Sequence, residues 1–408
     1  MANLRDRLRR IQDAQKQYGT AARAKKCEDF ELPGWAECGC QAKKREMLLD
    51  APIGLPSALP PAIAVIAGDF DRIAKTGRGL PAPEDLLFFD LETTGLSTAS
   101  GTVSFLAAFG QFIRRGGGLK LRITQYLLLD FPGEEDFLRA VLGEFKNSST
   151  VVVTYNGKCF DSQILASRCV QKRIKPPEYF HADLLHPARR LWKGIASDCS
   201  QSTIETEILG LDRTGDIPGA LAPEIWFDFL KTGETRRLLG ICDHNCADIS
   251  GLAAMLCAFC EIADSPFETN YNYSRERLAL YWRDYARRAV PSEELAKLKE
   301  TGVMLLLKAA NSGCPCASLA YALDQMRAGS HEDGRKRLLG IAEAEFPSNL
   351  KAAALRALSI DSERRLKNAD EALGFANIGL GIKEAGNYWQ KDFCRRAERL
   401  QKKPGLRR

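Results

Sequence analysis

Leu86–Gly95, LLFFDLETTG, is a short apolar run that ends in two acids, two threonines and a glycine. Such a run, closed by turn residues, predicts a buried strand. Side chains two apart on a strand share a face. Asp90 and Glu92 therefore project together, while Phe89 and Leu91 point to the opposite layer. Two acids on one face repel each other unless a cation lies between them. Working outward, VSFLAAFGQFI at 103–113 and LRITQYLLL at 121–129 read as a second and a third strand, with RRGGGLK at 114–120 as the hairpin between them.

Beyond these strands the period of the apolar residues changes. EEDFLRAVLGEF (134–145) has helical spacing, STVVVTYNG (149–157) is a buried strand by its valines, and FDSQILASRCVQKR (160–173) is an amphipathic helix ended by KPP. YFHADLLHPARRLW (179–192) reads as a strand feeding a helix, and CDHNCADISGLAAMLCAFCEIA (242–263) as the closing helix. Three strands followed by alternating helix and strand predict an α/β fold: a mixed sheet covered by helices, over residues 85–265. From about 275 to 402 every segment is helix-patterned, with short polar breaks that suggest paired helices in an all-α, repeat-like domain.

Two further acidic clusters join the first. Tyr155-Asn156-Gly157-Lys158 follows a strand, and Asp161 stands where the next helix starts. Strand-to-helix turns are where α/β sheets gather ligand-binding groups. Lys158 there offers a phosphate contact or a plain surface charge. In Asp243-His244-Asn245-Cys246-Ala247-Asp248, His244 and Asp248 lie four apart and share one helix face. Histidine is the side chain best suited to take a proton near neutral pH. Each cluster alone is as readily an ordinary strand-end pair, helix-cap acid or surface histidine. Three such clusters at sheet edges point to a site for two divalent ions, one to generate hydroxide and one to stabilise the leaving oxygen of a phosphodiester. A carboxylate set favours Mg²⁺ or Mn²⁺ over Zn²⁺.

The rest of the chain says less. Residues 1–80 predict a loosely structured front segment, with a basic amphipathic stretch around Leu4, Leu8 and Ile11, then Cys27, Cys38 and Cys40, then the proline-rich APIGLPSALPPAI. The net charge of +6 permits a polyanionic partner without requiring one. The opening residues lack the apolar centre of a secretory signal, and there is no continuous apolar run long enough to span a membrane. With 13 cysteines in no disulfide-like framework, the expected setting is a reducing cytoplasm. The pairs Cys38/Cys40, Cys242/Cys246, Cys257/Cys260 and Cys314/Cys316 lack the spacing of a structural zinc module and read as buried or incidental thiols. His181 and His186 read as structural. The basic C-terminal residues read as a solvated tail, with a nucleic-acid contact as the alternative.

DLETTG, YNGKCFD and HNCADISGL, in that order, resemble the three exonuclease motifs of the DEDD ribonuclease H-like superfamily, and within it the YprB-type family. ADLLHPARRLW and the segment at 205–234 are similar to that family's linking region. The resemblance covers roughly residues 85–265. It implies a metal-dependent 3′-5′ exonuclease acting on DNA or RNA, single-stranded or with a 3′ end. It also implies Asp90, Glu92, Asp161 and Asp248 as metal ligands, His244 as general base, and Thr93, Asn156 and Lys158 as substrate contacts. Asp183 would support the site without being a ligand. One departure stands out: proofreading-type members pair their last Asp with a His five residues earlier or a Tyr four residues earlier, whereas here His244 lies four before Asp248, at the tyrosine-type spacing. A catalytically silent nucleic-acid-binding or adaptor module, with the helices as its protein-binding part, is the competing reading; the four intact acids disfavour it. An actin-like ATPase is rejected because Glu92 occupies the position where that fold needs glycine.

Overall fold

The computed structural model describes residues 32–52, 54–95, 101–145, 149–288 and 293–402. The stretch around Leu4, Leu8 and Ile11, Cys27, and the tail beyond residue 402 lie outside the described residues. The chain divides into two compact units, each assembled from separated segments: 1–57, 81–183 and 211–257 in the first, and 58–80, 184–210 and 258–408 in the second.

The first unit is built on a seven-stranded mixed sheet. Its strands are β1 (Ala36–Gly39), β2 (Ala42–Asp50), β3 (Leu86–Thr93), β4 (Ser104–Arg115), β5 (Gly118–Leu128), β6 (Val151–Thr154) and β7 (Phe180–Asp183). Their order is β1-β2-β5-β4-β3-β6-β7. β3 pairs antiparallel with β4 and parallel with β6, so it is an interior strand of the sheet. That explains its almost unbroken apolar run: a strand covered on both faces has no room for alternation. One face buries Phe89, Leu91 and Phe105 against helices Glu134–Leu142, Asp161–Gln171 and Ala222–Thr232. Trp226 stacks on Phe105 at 5.2 Å and donates its indole N–H to the Leu128 carbonyl at 2.9 Å. On the other face, helix Arg236–Asp264 brings Ile249 to Gly110 of β4 so closely that a Cβ at 110 would lie 2.5 Å from its methyl. The arrangement is a ribonuclease H-like fold, with the expected three strands, hairpin and alternating elements in place.

The front segment departs from expectation. Residues 36–50 are not loose; they form the β1–β2 hairpin that extends the sheet along β5, in register from Ala42↔Leu128 to Asp50↔Lys120. The physical reason for the misreading is that β2, AKKREMLLD, lies near the sheet edge. There, charged side chains are tolerated and discourage further pairing, at the expense of the apolar signal. Segment 58–80 also carries short helices, Ile63–Ile66 and Gly68–Ile73.

The second unit is helical. Helices Arg275–Arg288, Glu293–Asn311, Pro315–Ala328, His331–Glu343, Ser348–Arg364, Ala369–Gly381 and Asn387–Gln401 each pack on the next, and alternate members starting from Arg275–Arg288 also touch. This is the geometry of stacked helix pairs. Ala372, Ala376 and Gly379 are buried on one helix face, Ala376 in a cluster with Phe393, as their small-residue spacing suggests. Helices 185–192 and 201–207 belong to this unit too, so it is discontinuous in sequence, unlike the expected blocks 85–265 and 275–402. Helix Arg236–Asp264 is long and apolar enough on average to cross a membrane, although its apolar stretch is interrupted by polar residues, and 67% of that stretch is buried inside the structure.

Candidate metal centre

β3 ends with Asp90 opposite Ala108 and Glu92 opposite Leu106, and an irregularity follows at Thr93. The alternation puts both carboxylates on the face of helix Arg236–Asp264. Asp161 reaches the same place from the first turn of its helix. Phe160, with φ −124° and ψ −78°, breaks the chain direction just before it. The backbone N–H groups of Leu91 and of Asp161 itself donate to the Asp161 carboxylate, tying it to β3. A cleft of about 240 Å³ is lined by Asp90, Glu92, Thr93, Tyr155, Asn156, Asp161, Gly219, His244 and Asp248, among others.

The third cluster lies on a longer helix than expected. The helix begins at Arg236, not near Cys242, which places His244 and Asp248 in its interior and not in its opening turn. Within it, Gly240 meets the loop that precedes helix Ala222–Thr232, where a Cβ would lie 2.4 Å from the Ile217 side chain. That loop supplies two residues the sequence alone did not single out. Asp216 Oδ2 lies 2.8 Å from His244 Nδ1, and Arg213 pairs with Asp216 at 2.8 Å and with Asp248. His244 Nε2 then faces the cleft, 3.2 Å from Asp248 Oδ2 and 3.9 Å from Glu92 Oε1. Gly219 leaves space for the ring, since a Cβ there would lie 2.9 Å from Nε2.

Electrostatics single out the same cleft. Burial first, then repulsion from Asp161, Asp248 and Glu92, lifts the Asp90 carboxyl well above the usual range, opposed by a hydrogen bond from Asn245. Glu92 is lifted well above it by burial and by Asp248, Asp161 and Asp216. Burial raises Asp161 to about 7, against its two backbone hydrogen bonds. Carboxylates gathered at this cost are stabilised by a cation. Ligand atoms of Glu92, His244 and Asp248 come within 4.8 Å of one another and could hold a metal ion. Oxygen-rich donors of this kind suit a hard divalent cation, so the residues present fit such a group. Both carboxylate oxygens of Asp248 also have protein partners, Arg213 and His244.

Of the residues expected at the site, Asp90, Glu92, Thr93, Asn156, Asp161, His244 and Asp248 line one cleft, whereas Lys158 is not among the lining residues. Asp183 has the supporting position: its carboxylate accepts the backbone N–H of Asn156 at 2.8 Å and of Lys158 at 3.1 Å. This clamps a turn in which Asn156 adopts the left-handed φ of 64°. His181 is structural, its Nε2 2.8 Å from Thr154 Oγ1. Among the described residues the cysteines are free thiols, and the one group of potential metal ligands contains none of them.

Fold and site define the class: residues 87–259 match the family model of the RNase_H superfamily, and the region is a ribonuclease H-like domain. A curated relative, "Uncharacterized protein YprB" of Bacillus subtilis (strain 168), is 38% identical over 174 residues, which is 42% of this chain. The matched stretch spans 41% of that relative's length.

Proposed function

We propose that the protein is a divalent-metal-dependent nuclease, a 3′-5′ exonuclease of the DEDD type that hydrolyses phosphodiester bonds in DNA or RNA. The observation that carries this reading is the convergence of Asp90, Glu92, Asp161 and Asp248, from three separate parts of the chain, on one cleft of a ribonuclease H-like domain. In this reading the four carboxylates hold two Mg²⁺ or Mn²⁺ ions. When bound, such ions supply Lewis acidity at the phosphate oxygens and make water a stronger nucleophile. His244 takes the proton from the attacking water at Nε2, because Asp216 engages Nδ1 and fixes the tautomer. Thr93 and Asn156, at the cleft wall, contact the nucleotide; Lys158 meets the phosphate backbone outside it.

The test is degradation of 5′-labelled single-stranded DNA and RNA with Mn²⁺, Mg²⁺ or EDTA. A ladder shortening from the 3′ end, lost with EDTA and in Asp90→Ala, is the expected result. Binding of both oligonucleotides without cleavage would leave the silent module standing, a reading favoured by the pairing of Arg213 with Asp248. Asp216→Asn serves as a finer test of the histidine's role. Removing a partner that orients a site side chain costs roughly 10- to 100-fold in activity. We therefore expect kcat to fall by about that factor with KM changed much less. An unchanged kcat would remove Asp216 from the mechanism.

A further inference from the structure

Behind Asp90 runs a chain of hydrogen bonds that leaves the cleft and ends on the front hairpin. Asn245 Nδ2 donates to Asp90 Oδ2 at 2.7 Å. Gln125 Nε2 donates to Asn245 Oδ1 at 2.9 Å and to the Cys242 carbonyl at 2.8 Å. Arg45 Nε on β2 donates to Gln125 Oε1 at 2.6 Å. Gln125 and Asn245 are fully buried, whereas Arg45 is only partly so, its guanidinium 4.9 Å from the Trp35 ring and bonded to the exposed Asp243.

The direction of every link is determined. The Cys242 carbonyl can only accept, so Gln125 must turn its NH₂ toward it and its oxygen toward Arg45, a group that can only donate. The second N–H of Gln125 then requires the oxygen of Asn245, and Asn245 has only its NH₂ left for Asp90. An amide flip at either of these fully buried residues would set donor against donor. Each bond therefore points at Asp90, and a positive charge stands at the far end of the chain. Oδ2 is committed as an acceptor, and Oδ1 is left for the cleft that Asp90 lines.

We propose that Arg45, Gln125 and Asn245 are positioning residues that fix the Asp90 carboxylate for cation binding, so that β2, outside the matched residues 87–259, is a working part of the metal centre. This rests on the metal-dependent reading above. Partners that orient a ligand change metal affinity about 10- to 100-fold, and that is the effect expected here.

The discriminating variant is Gln125→Glu. Glutamate keeps the shape of glutamine and can hold Arg45 by an ion pair, but as a carboxylate it can donate neither to Asn245 nor to the Cys242 carbonyl. A Gln125 that only fastens its strand to the helix at Cys242 would lower the melting temperature in this variant and leave metal affinity unchanged. Mn²⁺ binding by the full chain, followed by titration calorimetry, should weaken at least about 10-fold in both Gln125→Glu and Gln125→Met. Arg45→Met, which leaves the buried amides in place, should weaken it less, and Arg45→Lys should recover part of that loss. Wild-type affinity in Gln125→Glu or, should the Gln125 variants fail to fold, in Arg45→Met overturns the relay alone. Absence of Mn²⁺ binding by the wild type overturns the metal-dependent reading and the relay with it.

Discussion

Asp161→Asn is expected to make the cation-free protein more stable while abolishing the cation-dependent hydrolysis proposed above. The Asp161 side chain is buried, and its carboxyl titrates at about 7 where the ordinary value is 3.8. A pKa unit corresponds to about 1.4 kcal/mol, so keeping this group ionised costs on the order of 4 kcal/mol at pH 8. Asparagine has nearly the same shape and retains an oxygen to accept the Leu91 N–H, but carries no charge. If half the cost is recovered, about 2 kcal/mol, the melting temperature in EDTA rises by about 4–8 °C. The pH dependence has a definite sign. Because the folded pKa lies above the unfolded one, the penalty is complete above pH 7 and shrinks as pH falls through 7. It vanishes below the ordinary 3.8. The wild type in EDTA should therefore gain stability between about pH 8 and pH 5, and Asp161→Asn should gain less. Cleavage should fall at least about 100-fold, since charge stabilisation at the reacting phosphate is lost. A variant less stable than the wild type in EDTA at pH 8 would show that Asp161 is held by its backbone hydrogen bonds and not as a poised cation ligand.

The acids of this cleft were legible because each sits at a position of strong local pattern: Asp90 and Glu92 in strand alternation, Asp161 at a strand-to-helix turn, and Asp248 on an apolar helix. Arg213 and Asp216 were not, since they lie in a loop rich in glycine and proline. No periodicity places a loop beside residues about thirty positions further along the chain. Gly240 leaves room for it, since a Cβ there would lie 2.4 Å from the Ile217 side chain. Gln125 could have been found. A glutamine in the apolar strand LRITQYLLL is a buried polar group, and such a group requires partners. Asn245 carries no pattern of its own between His244 and Asp248, although its amide is the one that touches Asp90. The α/β pattern from β3 onward was plain because central strands must be apolar. β2 was missed because a strand near a sheet edge carries charge, and that charge is what supplies Arg45 to the relay.

In the helical unit, Asp361→Ala is expected to cause the largest loss of stability. Asp361 is buried and accepts from Arg335 Nη1 at 2.9 Å and from Arg365 Nε and Nη2 at 2.6 and 2.8 Å. Arg335 continues to Glu371, whose other oxygen accepts from Ser362. The network therefore joins helices His331–Glu343, Ser348–Arg364 and Ala369–Gly381, which also meet through apolar side chains such as Leu338, Ile341, Leu358 and Ala376. Breaking a buried ion pair from one side costs about 3–5 kcal/mol, because the partner charge stays behind uncompensated. Arg335 keeps Glu371, so about 3 kcal/mol is the expectation. That loss corresponds to a fall of about 6–12 °C in the melting of this unit. The Arg365 hydrogen bond, with Arg335 adding to it, holds the Asp361 carboxyl below its usual range. Its stabilisation is therefore complete above pH 4 and fades as pH drops through the lowered folded value. Thermal melts of wild type and Asp361→Ala should differ most at pH 7 and converge toward pH 3. A double-mutant cycle with Arg335→Met separates pairing from packing. A coupling near zero would mean that the helices are held by their apolar contacts alone, with Asp361 no more than a tolerated charge between them.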